Sequence, residues 1–455
     1  MVKLWFLRVA AAATAFAVGT TAIVSHASAQ SLIRDAEIEH TIRSYTTPLF
    51  GAAGLDPDAL KVYLLNDRVL NSFVTGGQNI FITTGLLMRA ESANQIIGVL
   101  AHETGHIAGG HLARMADELR YVSREALAAQ ILGLLIAAGT GNAGAAAAVG
   151  MGGMHIAERS FLSYSRTQEA SADQAALNFL TATHQSAKGL SQFFDILGDQ
   201  EALAVGRQDP YVQTHPLTRD RAAFVSDFVA RSPLANAPEP PRFDDEYRRM
   251  RAKLVGYIEP LDRVLKEYRP DDNSNYARYA RAVAYYRVSQ LEKALPLIEG
   301  LIAEEPKNPY YYELKGQMLF ENGRVKEALG PYEEMVRLAP NEPLLRTSLA
   351  HVQIELNDPK LVKPALANLI ASINADGTNP VAWRLAATAY GLYDQMGMSA
   401  LSGAEYNLRI GRLVDAKGQA QRASRLLPRG SPGWLRAQDI ENEAKNIREQ
   451  RERER

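Results

Sequence analysis

The sequence predicts a mainly α-helical protein in two parts: an α+β domain with a small β-sheet, followed by an all-α solenoid of helical repeats. In the first half, three short β-type segments lie directly before an apolar helix. In the second half, Ala294 and Ala328, like Pro306 and Pro340, recur with a period of about 34 residues, which is typical of paired-helix repeats. A chain of 455 residues also exceeds one hydrophobic core, so two domains are expected.

Residues 1–29 have the pattern of a secretory signal peptide, in which basic residues and an apolar run precede Ala27-Ser28-Ala29. We therefore expect an exported protein whose mature chain starts near Gln30; a single membrane anchor is the alternative. The sequence contains no cysteine, so a metal site can use only His, Asp and Glu. The net charge of −1, with no basic stripe, gives no reason to expect a nucleic-acid partner.

The mature chain begins with a predicted amphipathic helix over residues 31–50, followed by a turn and a small sheet. The predicted strands cover residues 61–66, 70–75 and 79–84. Gly76-Gly77 separates the last two strands, which predicts a β-hairpin. Because the sheet precedes the apolar helix, its edge could bind an extended peptide through main-chain hydrogen bonds. Asn71, Phe73 and Gly77 are the candidate residues of this substrate edge; ordinary sheet and turn positions are the alternative.

The predicted apolar helix over residues 92–116 contains the pattern H-E-x-x-H. His102 and His106 are four residues apart, so both imidazoles leave one helix face and can bind one metal ion. Glu103 can reach a water at that metal without being a ligand, and zinc lowers the pKa of such a water from about 15.7 to roughly 7. The pattern predicts a zincin-type metallopeptidase domain. Two helix histidines beside a glutamate, without a metal, are the alternative.

A second helix, predicted over residues 161–180, supplies two carboxylates. Glu169 and Asp173 are four residues apart and therefore lie on one helix face. In this geometry Glu169 can complete the metal site, while Asp173 holds a liganding histidine by a hydrogen bond. Two histidines, one glutamate and a water form a known catalytic zinc set. A solvated acidic face is the alternative for this pair.

Downstream, the segment Thr214-His215-Pro216 lies in a predicted loop, and the proline favours an extended conformation at His215. His215 could hydrogen-bond the oxyanion formed during hydrolysis, or occupy the open zinc position and keep the site closed; a surface-loop histidine is the alternative. Arg219 is a candidate supporting residue. His111 lies one position short of the third histidine in the pattern H-E-x-x-H-x-x-G-x-x-H, so we interpret it as structural or as a residue that supports a metal ligand.

The segment of residues 126–154 is rich in Ala, Gly, Leu and Ile and carries no charge. Its length would suffice to cross a membrane, which takes about 20 apolar residues. Its glycines weaken both helix formation and insertion. We expect a helical hairpin that covers the cleft and contacts a membrane surface, with a true span as the alternative.

The composition divides the chain into a first domain over residues 30–232, a proline-rich linker over 233–243 and a helical-repeat domain over 244–441. The repeat domain opens with a predicted helix over residues 244–268, and its period is that of tetratricopeptide repeats. Stacked repeats share one core and leave a groove that binds peptides or partner proteins. A generic helical bundle is the alternative. The charged tail over residues 442–455 is expected to fray in solution.

Taken in order, the hairpin, the H-E-x-x-H helix, the run from Ser165 to Asp173 and the Thr214-His215-Pro216 loop resemble the gluzincin peptidases of the HtpX and CAAX-prenyl-protease type. The signal peptide and the helical repeats make the chain most similar to the periplasmic branch of that family. The resemblance implies one Zn²⁺ per chain, bound by His102, His106 and Glu169, with Glu103 as general base. It also implies that His215 lies near the metal.

For function, the resemblance implies a zinc-dependent endopeptidase, with a chaperone role beside it, in the periplasm of a Gram-negative bacterium. The expected substrates are unfolded, misassembled or stalled outer-membrane proteins. The expected partner of the repeat groove is the outer-membrane β-barrel assembly machinery. Two other functions stay open: a non-catalytic chaperone or scaffold with a closed or vestigial zinc site, and a membrane-embedded peptidase that spans the bilayer through residues 126–154.

Overall fold

The computed structural model describes residues 31–75, 78–111, 114, 166–201 and 215–453. The predictions for the signal peptide, for Gly77 and for residues 126–154 lie outside these ranges. Among the described residues, no helix combines the length and the apolar character that a membrane crossing requires.

The first domain packs helices around a small sheet. Its strands are β1 (Ser31–Ile33), β2 (Lys61–Asn66), β3 (Ser72–Thr75) and β4 (Asn79–Thr83). Its helices are α1 (Ala36–Ala52), α2 (Thr84–Arg89), α3 (Ala93–Ala108), α4 (residues 166–182), α5 (Lys188–Glu201) and α6 (Arg219–Arg231). Strand β3 of the sheet packs against α3. Helices α4 and α5 also pack against α3, and together these elements enclose the core of the first domain.

The strands lie in the order β1-β2-β4-β3, in which β2 and β4 are parallel and both edge strands are antiparallel to their neighbours. The predicted hairpin is present as β3 and β4. Val62 and Leu64 of β2, with Ile80 and Ile82 of β4, alternate toward the hydrophobic core, as the two-residue period of a strand requires. Strand β3 therefore lies at one edge of the sheet.

The prediction of one helix over residues 31–50 is wrong at its start. Residues Ser31–Ile33 form β1 instead, because they pair with β2. Helix α1 begins at Ala36, and Asp35 caps it by accepting a hydrogen bond from the backbone N–H of Ile38. The chain turns between β1 and α1, and this turn places Ala36, the first residue of α1, against the second domain.

The second domain is a solenoid of antiparallel helix pairs, as predicted. Its helices are α7 (Pro241–Ile258), α8 (Leu261–Glu267), α9 (Asn275–Arg287), α10 (Leu291–Glu304), α11 (Pro309–Glu321), α12 (Val325–Leu338), α13 (Pro343–Glu355), α14 (Pro359–Ala375), α15 (Pro380–Leu392), α16 (Met396–Arg409), α17 (Leu413–Leu426) and α18 (Pro432–Arg453). Prolines open α11, α13 and α15 at the first turn, where a missing N–H costs nothing. Buried small residues allow the paired helices to pack closely: a side chain at Gly316 would lie 3.0 Å from the Tyr332 ring.

Two details of the repeat domain differ from the predictions. The helix predicted over residues 244–268 is two helices, α7 and α8, because Pro260 cannot continue the first. The tail predicted to fray is helical up to Arg453, since Ile440, Ala444 and Ile447 form an apolar stripe that packs on the preceding repeat.

Helix α7 belongs to both domains. Its residues Phe243, Tyr247 and Met250 lie in the core of the first domain, while Ala252 and Val255 lie in the core of the first repeat. The helix begins inside the predicted linker, at Pro241. One continuous helix therefore joins the two cores.

Candidate metal centre

Four buried side chains converge in the first domain: His102 and His106 of α3, Glu169 of α4, and His215. One nitrogen or oxygen atom from each lies within 4.8 Å of the others. We call these four residues the metal-site cluster. The Nε2 atoms of His102 and His106 are 3.0 Å apart, and each lies 3.3 Å from an oxygen of Glu169. His215 Nδ1 lies 3.4 Å from His102 Nε2 and 3.2 Å from both oxygens of Glu169.

These distances fit a bound metal ion. Ligand atoms about 2.0–2.1 Å from a common centre in tetrahedral geometry are about 3.3 Å apart. In addition, two imidazole nitrogens that face each other need a positive charge between them, which either a proton or a metal ion supplies. The donor set of three imidazoles and a carboxylate, buried together, therefore suits a divalent metal.

Close packing of two helix backbones sets this geometry. A Cβ atom at Gly105, inside the H-E-x-x-H pattern, would lie 2.8 Å from the carbonyl oxygen of Ala172 on α4. A Cβ atom at Gly98 would similarly meet Leu190 of α5 at 2.7–2.9 Å. Because Gly105 has no side chain, α4 approaches α3 closely enough to bring Glu169 to the histidines, and Gly98 allows the same close approach for α5.

The pKa values of the cluster reflect its burial and its charges. Burial alone would lower the pKa of His102, but Asp173 and Glu169 raise it to about 9. Burial lowers the pKa of His106 to about 3, so this imidazole is neutral, as a metal ligand must be. Burial alone would raise the pKa of Glu169, but His215 and the two α3 histidines bring it well below its usual range. Glu169 is therefore an anionic donor.

Asp173 holds His102 from behind. Its Oδ1 lies 2.9 Å from His102 Nδ1, the ring nitrogen that faces away from the cluster. Arg221 in turn donates two hydrogen bonds to Asp173, from Nε at 2.6 Å and from a terminal nitrogen at 2.9 Å. The same guanidinium lies 3.0 Å from Glu169 and donates to the carbonyl oxygen of Pro216 at 2.7 Å. Arg221 thus joins both acidic residues to the loop that carries His215.

The structure does not bring the predicted supporting residue Arg219 to the acidic residues; Arg221 contacts them instead. Arg219 is exposed, whereas Arg221 is 5% exposed. Thr218 caps α6, which puts Arg219 at the first helical position and turns Arg221 toward α4. Reading Thr218 as a helix cap would have favoured Arg221 from the sequence.

Glu103 is fully buried beside the metal-site cluster but is not one of its four converging residues. Neither carboxylate oxygen makes a hydrogen bond within the described part of the chain, and His215 Nε2 lies 3.7 Å from Oε1. Burial raises the pKa of Glu103, and the neighbouring His215 and His102 oppose that rise. A buried carboxyl with free oxygens next to a metal site can accept and return a proton.

His111 contacts the cluster from outside. Its Nδ1 lies 3.0 Å from Nδ1 of His106, whose other nitrogen faces the cluster. His111 is not among the four converging residues.

Of the three residues predicted for a substrate edge, the structure describes Phe73 in strand β3 and Asn71 beside it. Strand β3 packs against α3, and no other strand pairs with its outer edge within the described ranges. Phe73 stacks on Phe81 of β4 at a ring distance of 5.0 Å. Asn71 is buried just before the strand, and its side-chain oxygen has no hydrogen-bond partner among the described residues.

Comparisons with known proteins define the class of protein. Residues 33–229 match Peptidase family M48, and residues 279–343 match the Tetratricopeptide repeat family. The chain therefore carries a family M48 peptidase domain followed by tetratricopeptide repeats. The family match and the buried His-His-Glu-His cluster in that domain together support a metalloendopeptidase.

Three bacterial proteins named as proteases are similar to this chain over different lengths. The chain is 27% identical over 296 residues to the "Putative beta-barrel assembly-enhancing protease" of Vibrio cholerae, a match that covers 62% of this chain and 59% of that protein. It is 23% identical over 409 residues to the "Beta-barrel assembly-enhancing protease" of Escherichia coli, covering 88% and 81%. A third match, "Metalloprotease YcaL" of Escherichia coli, is 31% identical over 177 residues and covers 38% of this chain and 63% of that protein.

Proposed function

We propose that this protein is a zinc-dependent endopeptidase of the bacterial periplasm that degrades misfolded or stalled outer-membrane proteins. The observation that carries the proposal is the convergence of His102, His106 and Glu169 beside the buried Glu103. The names of the relatives in Vibrio and Escherichia support the substrate class, and the signal-peptide pattern of residues 1–29 supports export. A chaperone role, without hydrolysis, is compatible with the same array of repeats.

His102, His106 and Glu169 would hold the zinc ion, and Asp173 keeps the His102 ring in place. Bound zinc supplies Lewis acidity, which makes a water more acidic and polarises a substrate carbonyl. Glu103 accepts the proton of the attacking water at its carboxylate and returns it to the leaving amine. Because Glu103 is buried, bulk water does not compete for that proton.

His215 closes the donor set in this structure. A substrate carbonyl can approach the centre only after the loop of residues 215–218 moves. After that movement, His215 would donate a hydrogen bond to the carbonyl oxygen as negative charge develops there. This geometry combines the two roles considered for His215 from the sequence.

The substrate strand would lie along the outer edge of β3, next to Asn71 and Phe73, with Gly77 at the hairpin end. Main-chain hydrogen bonds would orient the scissile peptide without reading its side chains. The repeats would recruit the substrate or dock the peptidase on the outer-membrane β-barrel assembly machinery.

One observation favours a second candidate function. With His215 completing the donor set, the site is closed to substrate, as in a chaperone or scaffold whose zinc site is only structural. A membrane-embedded peptidase would depend on residues 126–154, which lie outside the described ranges.

The proposal is tested with the purified mature protein, an unfolded outer-membrane β-barrel protein as substrate, and metal analysis. We expect one zinc ion per chain and cleavage that a chelator stops. Glu103→Gln should keep the zinc and lower the cleavage rate by at least about 100-fold, because it removes the proton acceptor. Glu299→Gln, on an exposed face of the repeats, is the matched control and should cleave normally.

Unchanged cleavage by Glu103→Gln, or by protein free of metal, would refute the peptidase mechanism. Zinc-loaded wild-type protein that never cleaves, but prevents aggregation of the same substrate, would establish the scaffold function instead.

A further inference from the structure

A cavity of about 540 Å³ lies between the peptidase domain and the repeats, away from the metal-site cluster. We call it the interdomain cavity. The turn between β1 and α1 forms one wall, α7 forms the floor, and α11, α12 and α13 form the opposite wall. Ligand pockets have volumes of roughly 300–1,000 Å³, so this cavity can hold a long side chain with its flanking backbone.

The charges around the cavity do not balance. Lys253 of α7 lies 2.8 Å from Asp35, 3.4 Å from Glu37 and 3.5 Å from Glu313, so one ammonium group serves three carboxylates. We call these four residues the interdomain cluster. Glu37 has a second cation, Arg249, at 3.3 Å. Glu313 lies farthest from Lys253, and its burial raises its pKa to about 7.

Arg34, which also lines the cavity, already forms ion pairs with other carboxylates. Arg34 lies 2.7 Å from Glu39 and 2.7 Å from Asp376, neither of which lines the cavity. Among the described residues of the wall, Glu313 therefore shares its cation, Lys253, with Asp35 and Glu37. A positive charge that entered the cavity would meet Glu313 directly.

Aromatic rings line the cavity beside Glu313. Tyr257 of α7, Phe320 of α11 and Tyr332 of α12 contribute to its wall. The Tyr257 hydroxyl donates to Gln317, and Gln317 donates to Glu321, so these polar groups are satisfied and hold a fixed arrangement. Aromatic faces next to a carboxylate attract guanidinium and ammonium groups.

We propose that the interdomain cavity binds an arginine or lysine side chain of a polypeptide segment that runs between the repeats and the peptidase domain, with Glu313 as its counter-ion. The excess of carboxylates around Lys253 and the adjacent aromatic rings carry this assignment. This inference rests on the recruiting role proposed for the repeats and adds that the repeats prefer segments with a basic side chain. It concerns binding and not hydrolysis.

The test uses full-length protein carrying Glu103→Gln, so that no peptide is cleaved. Two fluorescein-labelled peptides of one extended sequence are compared at pH 8 by fluorescence anisotropy: one contains arginine, and the other contains the neutral isostere citrulline. We expect the arginine peptide to bind at least about tenfold more tightly, which is the size of one charge-assisted hydrogen bond. Adding Glu313→Gln should abolish the difference, whereas adding Glu299→Gln should preserve it.

Equal affinity of the two peptides for the first protein overturns the proposal without any further variant. So does an arginine preference that survives Glu313→Gln. Glu313→Gln is nearly isosteric and removes a poorly compensated charge, and its melting temperature shows whether the repeats remain folded. A negative binding result leaves the cleavage assay of wild-type protein unaffected, so the two proposals fail separately.

Discussion

The metal-site cluster and the interdomain cluster are both groups of buried charges, but they are built differently. In the metal-site cluster, imidazole and carboxylate donors face one point, and the nearby cation, Arg221, lies on their outer side. In the interdomain cluster, Lys253 itself lies among the carboxylates. The first arrangement requires a cation from solution, while the second already contains one and holds two domains together. A buried group of imidazole and carboxylate donors is therefore a metal site only where no cationic side chain of the protein already lies among the donor atoms.

The comparison predicts that Lys253 matters for stability and not for the metal. Lys253→Met should lower the free energy of unfolding by about 3 kcal/mol, because it removes the cation that Asp35, Glu37 and Glu313 share and leaves only Glu37 with another, Arg249. Urea unfolding measures this change. Lys315→Met, whose partner Glu299 is half exposed, is the control and should cost less than about 1 kcal/mol.

Metal affinity of folded Lys253→Met protein should equal that of the wild type. A loss of metal affinity in that variant would show that the two clusters are coupled, and the distinction between them would fail.

Arg221 should show the opposite pattern. Arg221→Lys should weaken metal binding by about 10–100-fold, because a lysine cannot reproduce the two-point contact with Asp173 or reach Glu169 and Pro216 together. Competition with a chromogenic chelator measures the affinity. Arg219→Lys, two residues away and exposed, should bind metal as the wild type does. Equal affinity in both variants would limit Arg221 to a structural role.

Gly105 tests whether close packing of the helices sets the donor geometry. Gly105→Ala places a Cβ atom 2.8 Å from the Ala172 carbonyl oxygen and should push α4, with Glu169, away from α3. We expect metal affinity to fall by about tenfold, the lower end of the range for changes just outside a metal site. Gly198→Ala, in the same domain with no atom within 4 Å of the added Cβ, is the matched control. Normal affinity in Gly105→Ala would show that α4 tolerates the shift.

The smallest effect concerns pH and the interdomain cluster. The pKa of Glu313 is raised from 4.5 to about 7, so the native state holds a proton that the unfolded state releases between these values. The contribution to stability is therefore complete below about pH 4.5 and is lost as the pH rises through 7. Glu313→Gln should flatten this part of the pH profile, by on the order of 1–2 kcal/mol between pH 5 and 8. Identical profiles in the two proteins would contradict the raised pKa.

Several features of the first domain follow from local patterns. The α3 ligands, the pairing of β3 with β4 and the boundaries of β2 depend on residues close in sequence, where helical and strand periods apply directly. The four-residue spacing of Glu169 and Asp173 likewise fixed their common helix face. Strand β1 could not be recognised in this way, because its partner β2 lies about thirty residues away and three residues carry little pattern of their own.

The sequence by itself determined the donor types, their helices and the repeat period, because each follows from the chemistry or spacing of neighbouring residues. Only the tertiary structure decided that Arg221 rather than Arg219 contacts the acidic residues, that His215 completes the donor set, and that Lys253 meets carboxylates from two domains. These contacts join residues 46 to 218 positions apart. The direction of a side chain across such a distance depends on how whole elements pack, and no local period encodes that packing.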